Sequence, residues 1–165
     1  MPADNCANGT ASMNVPLTLC MIYNDTHILL GKKKRGFGAG YWNGFGGKVE
    51  KGETVEQAAR REVIEEIGII PGALTKRGIL HFDIAKDELH FAVHVFSASV
   101  LQGEPKESEE MQPQWFAYQE IPFKEMWADD KYWFPYLLSG KNFIGTFHFS
   151  DQKTLLAYDI HEGKV

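Results

Sequence analysis

The hydrophobic positions of the chain fall into short runs separated by polar and glycine-rich segments. Dense apolar runs over residues 15–23 and 27–31, with turn residues between them, predict two adjacent strands. Runs rich in β-branched and aromatic residues over 78–85 and 89–100 flank a polar turn and predict a second strand pair. The same pattern predicts a strand over 115–118 and a final hairpin over 143–149 and 154–160.

Two other segments have the pattern of helices. From Thr54 to Ile67 the apolar positions recur every three or four residues, and Thr54 with Gln57 forms a capping-box pattern. Gly68 then ends this helix. Residues 129–139 are apolar around tryptophan and tyrosine and precede Gly140, which predicts a second, shorter helix. The alternation of strands and helices predicts a mixed α/β fold.

Length and composition set the domain organisation. With 165 residues, 44% of them hydrophobic, the chain can bury one core. Residues 1–14 are small and polar without periodicity and predict a flexible tail, so residues 15–165 are expected to form a single domain.

Charge and cysteine content narrow the classes of partner. A net charge of −5 argues against binding a nucleic acid polymer through a broad basic surface, so any nucleotide partner is expected to be small. We expect no signal peptide, because the N-terminal stretch has neither a basic region nor an apolar run, and no membrane span, because no apolar run approaches 18 residues. Cys6 and Cys20 form no C-x-x-C pair, which favours a reducing compartment. We expect a monomer in the cytoplasm, with the nucleus and mitochondria as alternative locations.

The strongest motif covers residues 47–69. It matches G-x5-E-x7-R-E-U-x-E-E-x-G-U, where U is a bulky aliphatic residue, and a chance match is below about 10⁻⁸ per starting position. The matching residues are Gly47, Glu53, Arg61, Glu62, Val63, Glu65, Glu66, Gly68 and Ile69. This pattern resembles the complete Nudix box.

The glutamates of this motif indicate a metal site. Glu62, Glu65 and Glu66 share one helix face within one turn, where their carboxylates repel each other unless a cation lies between them. Mg²⁺ takes oxygen ligands and is commonly bound by carboxylates together with substrate phosphates. The alternative is a solvated acidic helix with i, i+4 ion pairs, but it leaves the glycines and Glu53 unexplained.

The resemblance to the Nudix family implies a fold and a set of roles. The fold is an α/β/α sandwich with a central mixed β-sheet and a loop-helix-loop. The cofactor is Mg²⁺, with Mn²⁺ as a substitute. In the family pattern Arg61 orients the glutamates, Glu53 supports the metal network, and the Gly46 carbonyl reaches a metal. Glu66 is the first choice for the general base, and Glu110 is either a second base candidate or a metal ligand.

Further stretches resemble the MutT-like branch of the family: residues 33–54, VHVF, ESEEMQPQWF, IPFKEMWADD and YWFP. This branch hydrolyses oxidised purine nucleoside triphosphates, such as 8-oxo-dGTP and 2-oxo-dATP, to monophosphate and pyrophosphate by attack of water on phosphorus. The implied substrate-binding residues are Thr18, Lys33, Phe37, Asn43, Phe45, Gly46, Gly47, Lys48, Phe82, Trp127, Ala128, Asp129 and Asp130.

Several alternatives stay open from the sequence. Trp127 could be a core aromatic, and Asp129-Asp130 could be a helix N-cap. Ile84 and Phe91 replace the phenylalanine and methionine expected in vertebrate members, so the ranking of substrates is open. The chain could act on another nucleoside diphosphate derivative, or bind nucleotides without catalysis.

Histidines give no metal site by sequence spacing. His90 and His94 are expected on one face of a strand, but no third ligand with suitable spacing accompanies them. We therefore predict no zinc site.

Overall fold

The computed structural model describes residues 16–165, which form ten strands, two α-helices and two short 3-10 helices, Tyr118–Glu120 and Phe123–Glu125. In chain order the elements are β1 Leu17–Tyr23, β2 His27–Lys33, β3 Trp42–Asn43, α1 Val55–Ile67, β4 Ile70–Pro71, β5 Thr75–Ile84, β6 Leu89–Ala98, β7 Val100–Gln102, β8 Met111–Ala117, α2 Asp130–Leu138, β9 Phe143–Asp151 and β10 Thr154–Glu162. The predicted tail, residues 1–14, lies outside the described residues and stays a prediction.

Eight of the strands form one mixed sheet in the order β10-β9-β5-β6-β1-β2-β3, with β8 also pairing with β2. The pairs β1–β6 and β5–β9 are parallel, and the other pairs are antiparallel. Strands β4 and β7 form a separate two-stranded sheet. The central mixed sheet predicted from the family resemblance is therefore confirmed.

The two helices cover opposite faces of the sheet. Side chains alternate between the faces of a strand, and in β1 Leu19 and Met21 join a buried cluster with residues of α2, whereas Cys20 and Ile22 join a cluster with residues of α1. This arrangement is the predicted α/β/α sandwich.

No helix of residues 16–165 is long and apolar enough to span a membrane.

Helix α1 begins and ends as its sequence predicts. The Thr54 side chain accepts a hydrogen bond from the Gln57 backbone, and the Gln57 side chain reaches back to Thr54, which completes the capping box. At the other end Gly68 adopts a left-handed conformation with φ of 71°, which glycine accepts without strain. The helix is thus fixed at both ends around its glutamates.

Strand β8 is longer than the predicted segment 115–118. It begins at Met111 and includes Pro113, which cannot donate a ladder hydrogen bond and is tolerated where a strand pairs on one side. Because the start of this strand is polar and contains proline, the hydrophobic pattern did not predict residues 111–114 as part of it. The very short strands β3, β4 and β7 were not predicted, because two or three residues carry no periodicity.

A wedge segment, residues 42–48, fills a gap in the sheet. Strands β1 and β2 pair beside their turn, at Ile22 with Leu29 and at Tyr23 with Ile28. Farther along, β2 pairs with β3 inside the wedge segment, while β1 bonds to the other part of it. The Cys20 and Phe45 backbones exchange hydrogen bonds of 2.6 and 3.1 Å. The wedge segment is therefore held by both strands.

Candidate active site

A cleft lies beside the wedge segment and joins groups from distant parts of the sequence. Its lining comes from β2, the loop after β2, the wedge segment, α1, the first residue of β8 and the loops before β8 and α2. The lining residues are Gly31, Lys33, Arg35, Phe37, Gly38, Tyr41, Asn43, Gly44, Gly46, Glu62, Glu66, Glu110, Met111 and Trp127. Eight of the predicted site residues are therefore brought together here.

Glycines in the wedge segment allow its close approach to β1 and α1. A Cβ atom on Gly46 would lie 1.8 Å from the Thr18 carbonyl oxygen, so no side chain fits there. A Cβ atom on Gly47 would lie 2.6 Å from Glu62 Oε1. The absence of side chains at these positions brings the wedge backbone directly against the glutamates of α1.

The three predicted metal ligands on α1 differ in exposure. Glu66 is buried, with 7% of its surface exposed, and its Oε2 atom has no hydrogen-bond partner within residues 16–165. The Glu62 side chain is 16% exposed, and that of Glu65 is 58% exposed. Glu62 and Glu66 line the cleft, whereas Glu65 lies at its outer side and is not among the lining residues.

Arg61 organises the carboxylates around it. Its guanidinium donates to both oxygens of Glu53 at 2.9 to 3.1 Å, to Glu62 Oε1 at 3.0 Å and to Glu65 Oε2 at 3.1 Å. A further hydrogen bond of 3.2 Å reaches the Lys48 carbonyl of the wedge segment. Because Arg61 is rigidly planar and always charged, it fixes the orientation of Glu62 relative to the wedge segment.

Burial makes it costly to charge both carboxyls of the Glu62–Glu66 pair. Burial raises the pKa of Glu66 well above its usual value, and the adjacent Glu62 raises it further. Burial also raises the pKa of Glu62, although Arg61 opposes this effect. A divalent cation would satisfy the unpartnered Glu66 oxygen and neutralise both carboxylates. The carboxylate donor set and the unpartnered atom therefore fit the predicted metal.

Glu110 reaches the cleft from the loop before β8. Its backbone carbonyl accepts a 2.9 Å hydrogen bond from the Lys34 amide, and its Oε1 atom lies 3.3 Å from an Arg35 guanidinium nitrogen. Like-charge repulsion from Glu110 contributes to the raised pKa of Glu66. Glu110 and Glu66 therefore line the same cleft, and the role of Glu110 as a base or a metal ligand stays a prediction.

Trp127 forms an aromatic group at the other end of the cleft. Its ring centroid is 5.1 Å from that of Phe37 and 5.4 Å from that of Tyr41, which meets it edge-on. Gly38 lies against the same ring, since a Cβ atom there would be 3.4 Å from it. These rings form an apolar surface on which a planar heterocycle can stack.

Buried polar atoms accompany this aromatic group. Asn43 Oδ1 accepts a 2.8 Å hydrogen bond from the Gly44 amide, which leaves its buried Nδ2 donor without a partner in the described residues. Both carboxyl oxygens of Asp130 are also buried and unpartnered there, while Asp129 Oδ2 accepts a 2.9 Å bond from Trp133. Such atoms are costly unless a ligand or water satisfies them.

The two aspartates favour protonation of at least one carboxyl. Burial raises the pKa of Asp130 well above its usual value, and the neighbouring Asp129 raises it further. Burial also raises the pKa of Asp129, against the opposing hydrogen bond from Trp133. One shared proton would make this pair both a donor and an acceptor for a base edge.

Other predicted site residues lie outside the cleft lining. Thr18 is buried and its hydroxyl donates to the Gly47 carbonyl at 3.4 Å, and Phe45 packs in the cluster on the α1 side. Phe82 is buried against Phe91 at a ring distance of 5.2 Å. Ala128 lines a neighbouring shallow depression. Their roles in substrate binding stay predictions, as do those of Gly47, Lys48, Asp129 and Asp130.

Six lining residues escaped the sequence-based prediction of ligands: Gly31, Arg35, Gly38, Tyr41, Gly44 and Met111. Tyr41 could have been included in the predicted site, because it is an aromatic residue two positions before the predicted ligand Asn43. For Gly31 and Met111 the signal is weaker, because they meet only through the pairing of β2 with β8.

Several known proteins are similar to this chain in sequence or in fold. The NUDIX domain family model matches residues 13–137. The oxidized purine nucleoside triphosphate hydrolase of Mus musculus is 51% identical over 145 residues, covering 88% of this chain and 93% of that protein. The protein of the same name from Danio rerio is 49% identical over 146 residues, covering 88% and 94%. A MutT mutator protein from Bacillus halodurans has a similar crystal structure, with a TM-score of 0.76, 29% identity and coverage of 88% and 97%.

Proposed function

The chain belongs to the Nudix hydrolase family, and on this basis we propose that it hydrolyses oxidised purine nucleoside triphosphates to nucleoside monophosphates and pyrophosphate. The observation that carries the proposal is a single cleft lined by both the buried glutamates and Trp127. The glutamates, with a bound cation, suit the phosphates of a nucleotide, and the Trp127 ring suits its purine. The two relatives with about half of their residues identical carry the matching name.

The proposed cofactor is Mg²⁺, held by Glu62 and Glu66, with Glu65, Glu110 and the Gly46 carbonyl as further ligands and Mn²⁺ as a substitute. When bound, this cation supplies positive charge that stabilises the phosphate oxygens and the leaving pyrophosphate. Arg61 holds Glu62 in place, and the wedge backbone fixes where the phosphates can lie. Glu66 takes the proton of the attacking water, with Glu110 as the second candidate for this role.

The base end of the cleft accounts for recognition of a purine. Stacking on Trp127 provides affinity without reading the base edge. The Asn43 amide and the Asp129–Asp130 pair supply buried donors and acceptors that an oxidised purine would satisfy. Because the carboxyl pair can hold one proton in either arrangement, it can match the edges of more than one purine.

The specific substrate class is tested by a panel assay. The full chain with Mg²⁺ would be given 8-oxo-dGTP, 2-oxo-dATP, O6-methyl-dGTP, unmodified triphosphates, ADP-ribose and a diadenosine polyphosphate. We expect the highest kcat/KM for the modified triphosphates, with monophosphate and pyrophosphate as products. Preference for ADP-ribose or the dinucleotide would overturn the substrate assignment while leaving Nudix chemistry in place. Nucleotide binding without any turnover would favour a non-catalytic module.

Arg61 provides a separate test of the metal site. Arg61→Lys keeps a positive charge but loses the planar fork that contacts Glu53, Glu62 and Glu65, so we expect kcat/KM to fall by roughly 10- to 100-fold. The Mg²⁺ concentration for half-maximal rate is expected to rise as well. Steady-state assays over a range of Mg²⁺ concentrations would measure both effects.

Arg60→Lys is the matched control, one position away on α1. Arg60 donates to the Pro71 and Gly72 carbonyls at 2.9 and 3.1 Å, so its replacement affects the segment after α1 and none of the hydrogen bonds to Glu53, Glu62 and Glu65. It is expected to leave the Mg²⁺ dependence unchanged. Equal losses in both variants would show that Arg61 acts only through stability.

A further inference from the structure

A run of four cationic residues, residues 32–35, spans the end of β2. Side chains alternate between the two sides of a strand, and the alternation continues past the last residue of β2. Lys33 and Arg35 line the cleft. Lys34, which lies between them in the sequence, instead places its ammonium group 2.6 Å from Glu107 Oε1. The run therefore turns two of its cations toward the cleft, and the predicted substrate-binding residues include only the first of them.

The two cations in the cleft contact different neighbours. Lys33 donates a 2.8 Å hydrogen bond to the carbonyl of Phe37, whose ring belongs to the aromatic end of the cleft. Arg35 instead donates to Glu110 Oε1, at a distance of 3.3 Å. Glu110 is one of the three carboxylates that line the cleft. Arg35 is therefore the cation that is paired with the carboxylates rather than with the aromatic end.

The backbone at Arg35 is held in place more firmly than its side chain. Lys33 pairs with Met111 between β2 and β8, and the Lys34 amide donates to the Glu110 carbonyl at 2.9 Å. The Arg35 side chain is 58% exposed, and its contact with Glu110 is longer than a usual charge-assisted hydrogen bond. Exposed ion pairs of this kind contribute little to stability. The guanidinium can therefore exchange Glu110 for a better ligand with little loss of stability.

The burial of the cleft lining determines which part of a nucleotide reaches Arg35. Under the proposed function the purine stacks on Trp127, which is buried, and the metal site contains Glu66, which is also buried. Arg35 is exposed and thus lies at the mouth of the cleft. The phosphates extend outward from the buried base end, so those farthest from the nucleoside lie nearest to the guanidinium. These are the two phosphates that leave as pyrophosphate.

We propose that Arg35 binds these two phosphates and exchanges Glu110 for their oxygens when a nucleotide enters, an inference that rests on the proposed function. A guanidinium donates parallel N–H bonds that match phosphate oxygens, and it stays charged throughout. Water adds to the α-phosphorus, and its proton goes to the general base. The bond from this phosphorus to the bridging oxygen breaks, and the oxygen leaves with the electron pair as part of pyrophosphate. Arg35 places positive charge beside this leaving group and transfers no proton.

Inorganic pyrophosphate is the probe that tests this assignment, because it contains only the part of the substrate that Arg35 would contact. The full chain with Mg²⁺ would be titrated calorimetrically with pyrophosphate and separately with 8-oxo-dGMP. Arg35→Gln is expected to weaken pyrophosphate binding by roughly tenfold, whereas 8-oxo-dGMP binding should change by less than about twofold. Arg35→Lys keeps the charge but loses the paired donors, so its affinity should lie between those of wild type and Arg35→Gln.

Lys34→Gln is the matched control, because it removes the same charge one position away, where the side chain pairs with Glu107. A general loss of positive potential would weaken pyrophosphate binding equally in Lys34→Gln and Arg35→Gln, whereas loss of a direct contact weakens it only in the second. The proposal is overturned if the wild-type chain binds no pyrophosphate, if Arg35→Gln binds it as wild type does, or if Lys34→Gln loses as much affinity. Thermal unfolding of each variant distinguishes a lost contact from lost structure.

The pyrophosphate titration and the panel assay can fail separately. The titration involves no nucleoside, so a negative result leaves the proposed substrate class in place and removes only the role of Arg35. Preference for ADP-ribose in the panel assay, together with the tenfold loss of pyrophosphate affinity in Arg35→Gln, would have the opposite meaning. It would overturn the proposed function and leave Arg35 as a phosphate-binding residue.

Discussion

Glu66→Gln is expected to lower kcat by about a thousandfold while leaving nucleotide binding measurable. Glutamine keeps the shape of the buried side chain but has no negative charge and cannot take a proton from water. Both proposed roles of Glu66, cation ligand and general base, are therefore lost together. The base end of the cleft is unchanged, so an unreactive nucleotide analogue should still bind. Single-turnover kinetics and equilibrium titration would measure the two effects separately.

Glu56→Gln is the control for this variant, because Glu56 is an exposed glutamate in the first turn of the same helix. Its replacement changes the helix charge equally but touches no residue of the cleft. We expect its kcat to remain within a factor of about two of wild type. Near-normal turnover in Glu66→Gln would reject the assignment of the glutamate pair as the metal site.

Asp130→Asn is expected to lower kcat/KM for oxidised purine substrates by about 100-fold, corresponding to a loss of 2–3 kcal/mol at the base edge. An amide has a fixed donor and a fixed acceptor, so it cannot exchange a proton with Asp129. The loss should differ between 8-oxo-dGTP and 2-oxo-dATP, because their base edges differ in hydrogen-bonding pattern. Unmodified dGTP should lose less, which the panel assay would show.

The same substitution should change the pH dependence of stability. Burial and Asp129 raise the pKa of Asp130 in the folded state, so its stabilising contribution is complete below the unfolded pKa and is lost as the pH rises through the raised value. Asparagine has no carboxyl to ionise, so this loss of stability at high pH does not occur in the variant. Asp130→Asn should therefore unfold at a higher temperature than wild type at pH 8, and the difference should shrink toward pH 4.

Asp87→Asn is the matched control, since Asp87 lies in the exposed turn between β5 and β6. Its unfolding temperature should follow that of wild type at every pH. Calorimetric scans at three pH values are sufficient. If Asp130→Asn destabilises the chain equally at pH 4 and pH 8, the carboxyl is not held protonated by its surroundings.

The Nudix box could be read from the sequence because its residues are close together in the chain. Helical periodicity placed Glu62 and Glu66 on one face, and the capping residues Thr54 and Gly68 fixed the ends of α1. The family assignment made from these residues is confirmed by the NUDIX domain match over residues 13–137. The sequence pattern was sufficient to predict the positions of these glutamates, because they lie on one helix whose ends are set by neighbouring residues.

Features that depend on strand pairing were beyond such patterns. Tyr41 reaches Trp127 only because the loop after β2 folds back, and Met111 meets Gly31 only through the register of β2 with β8. A single sequence carries no signal for register between distant strands.

The attachment of the wedge segment to both β1 and β2 has a thermodynamic consequence for ligand binding. Loops that order around phosphates lose backbone entropy at the moment of binding, by about 1–2 kcal/mol per residue fixed. Here the sheet hydrogen bonds of Cys20 with Phe45 and the tight fit of Gly46 against Thr18 order that backbone during folding. Triphosphate association should therefore show a small entropic penalty from the protein, and amides of the wedge segment should be slow to exchange before any nucleotide is added.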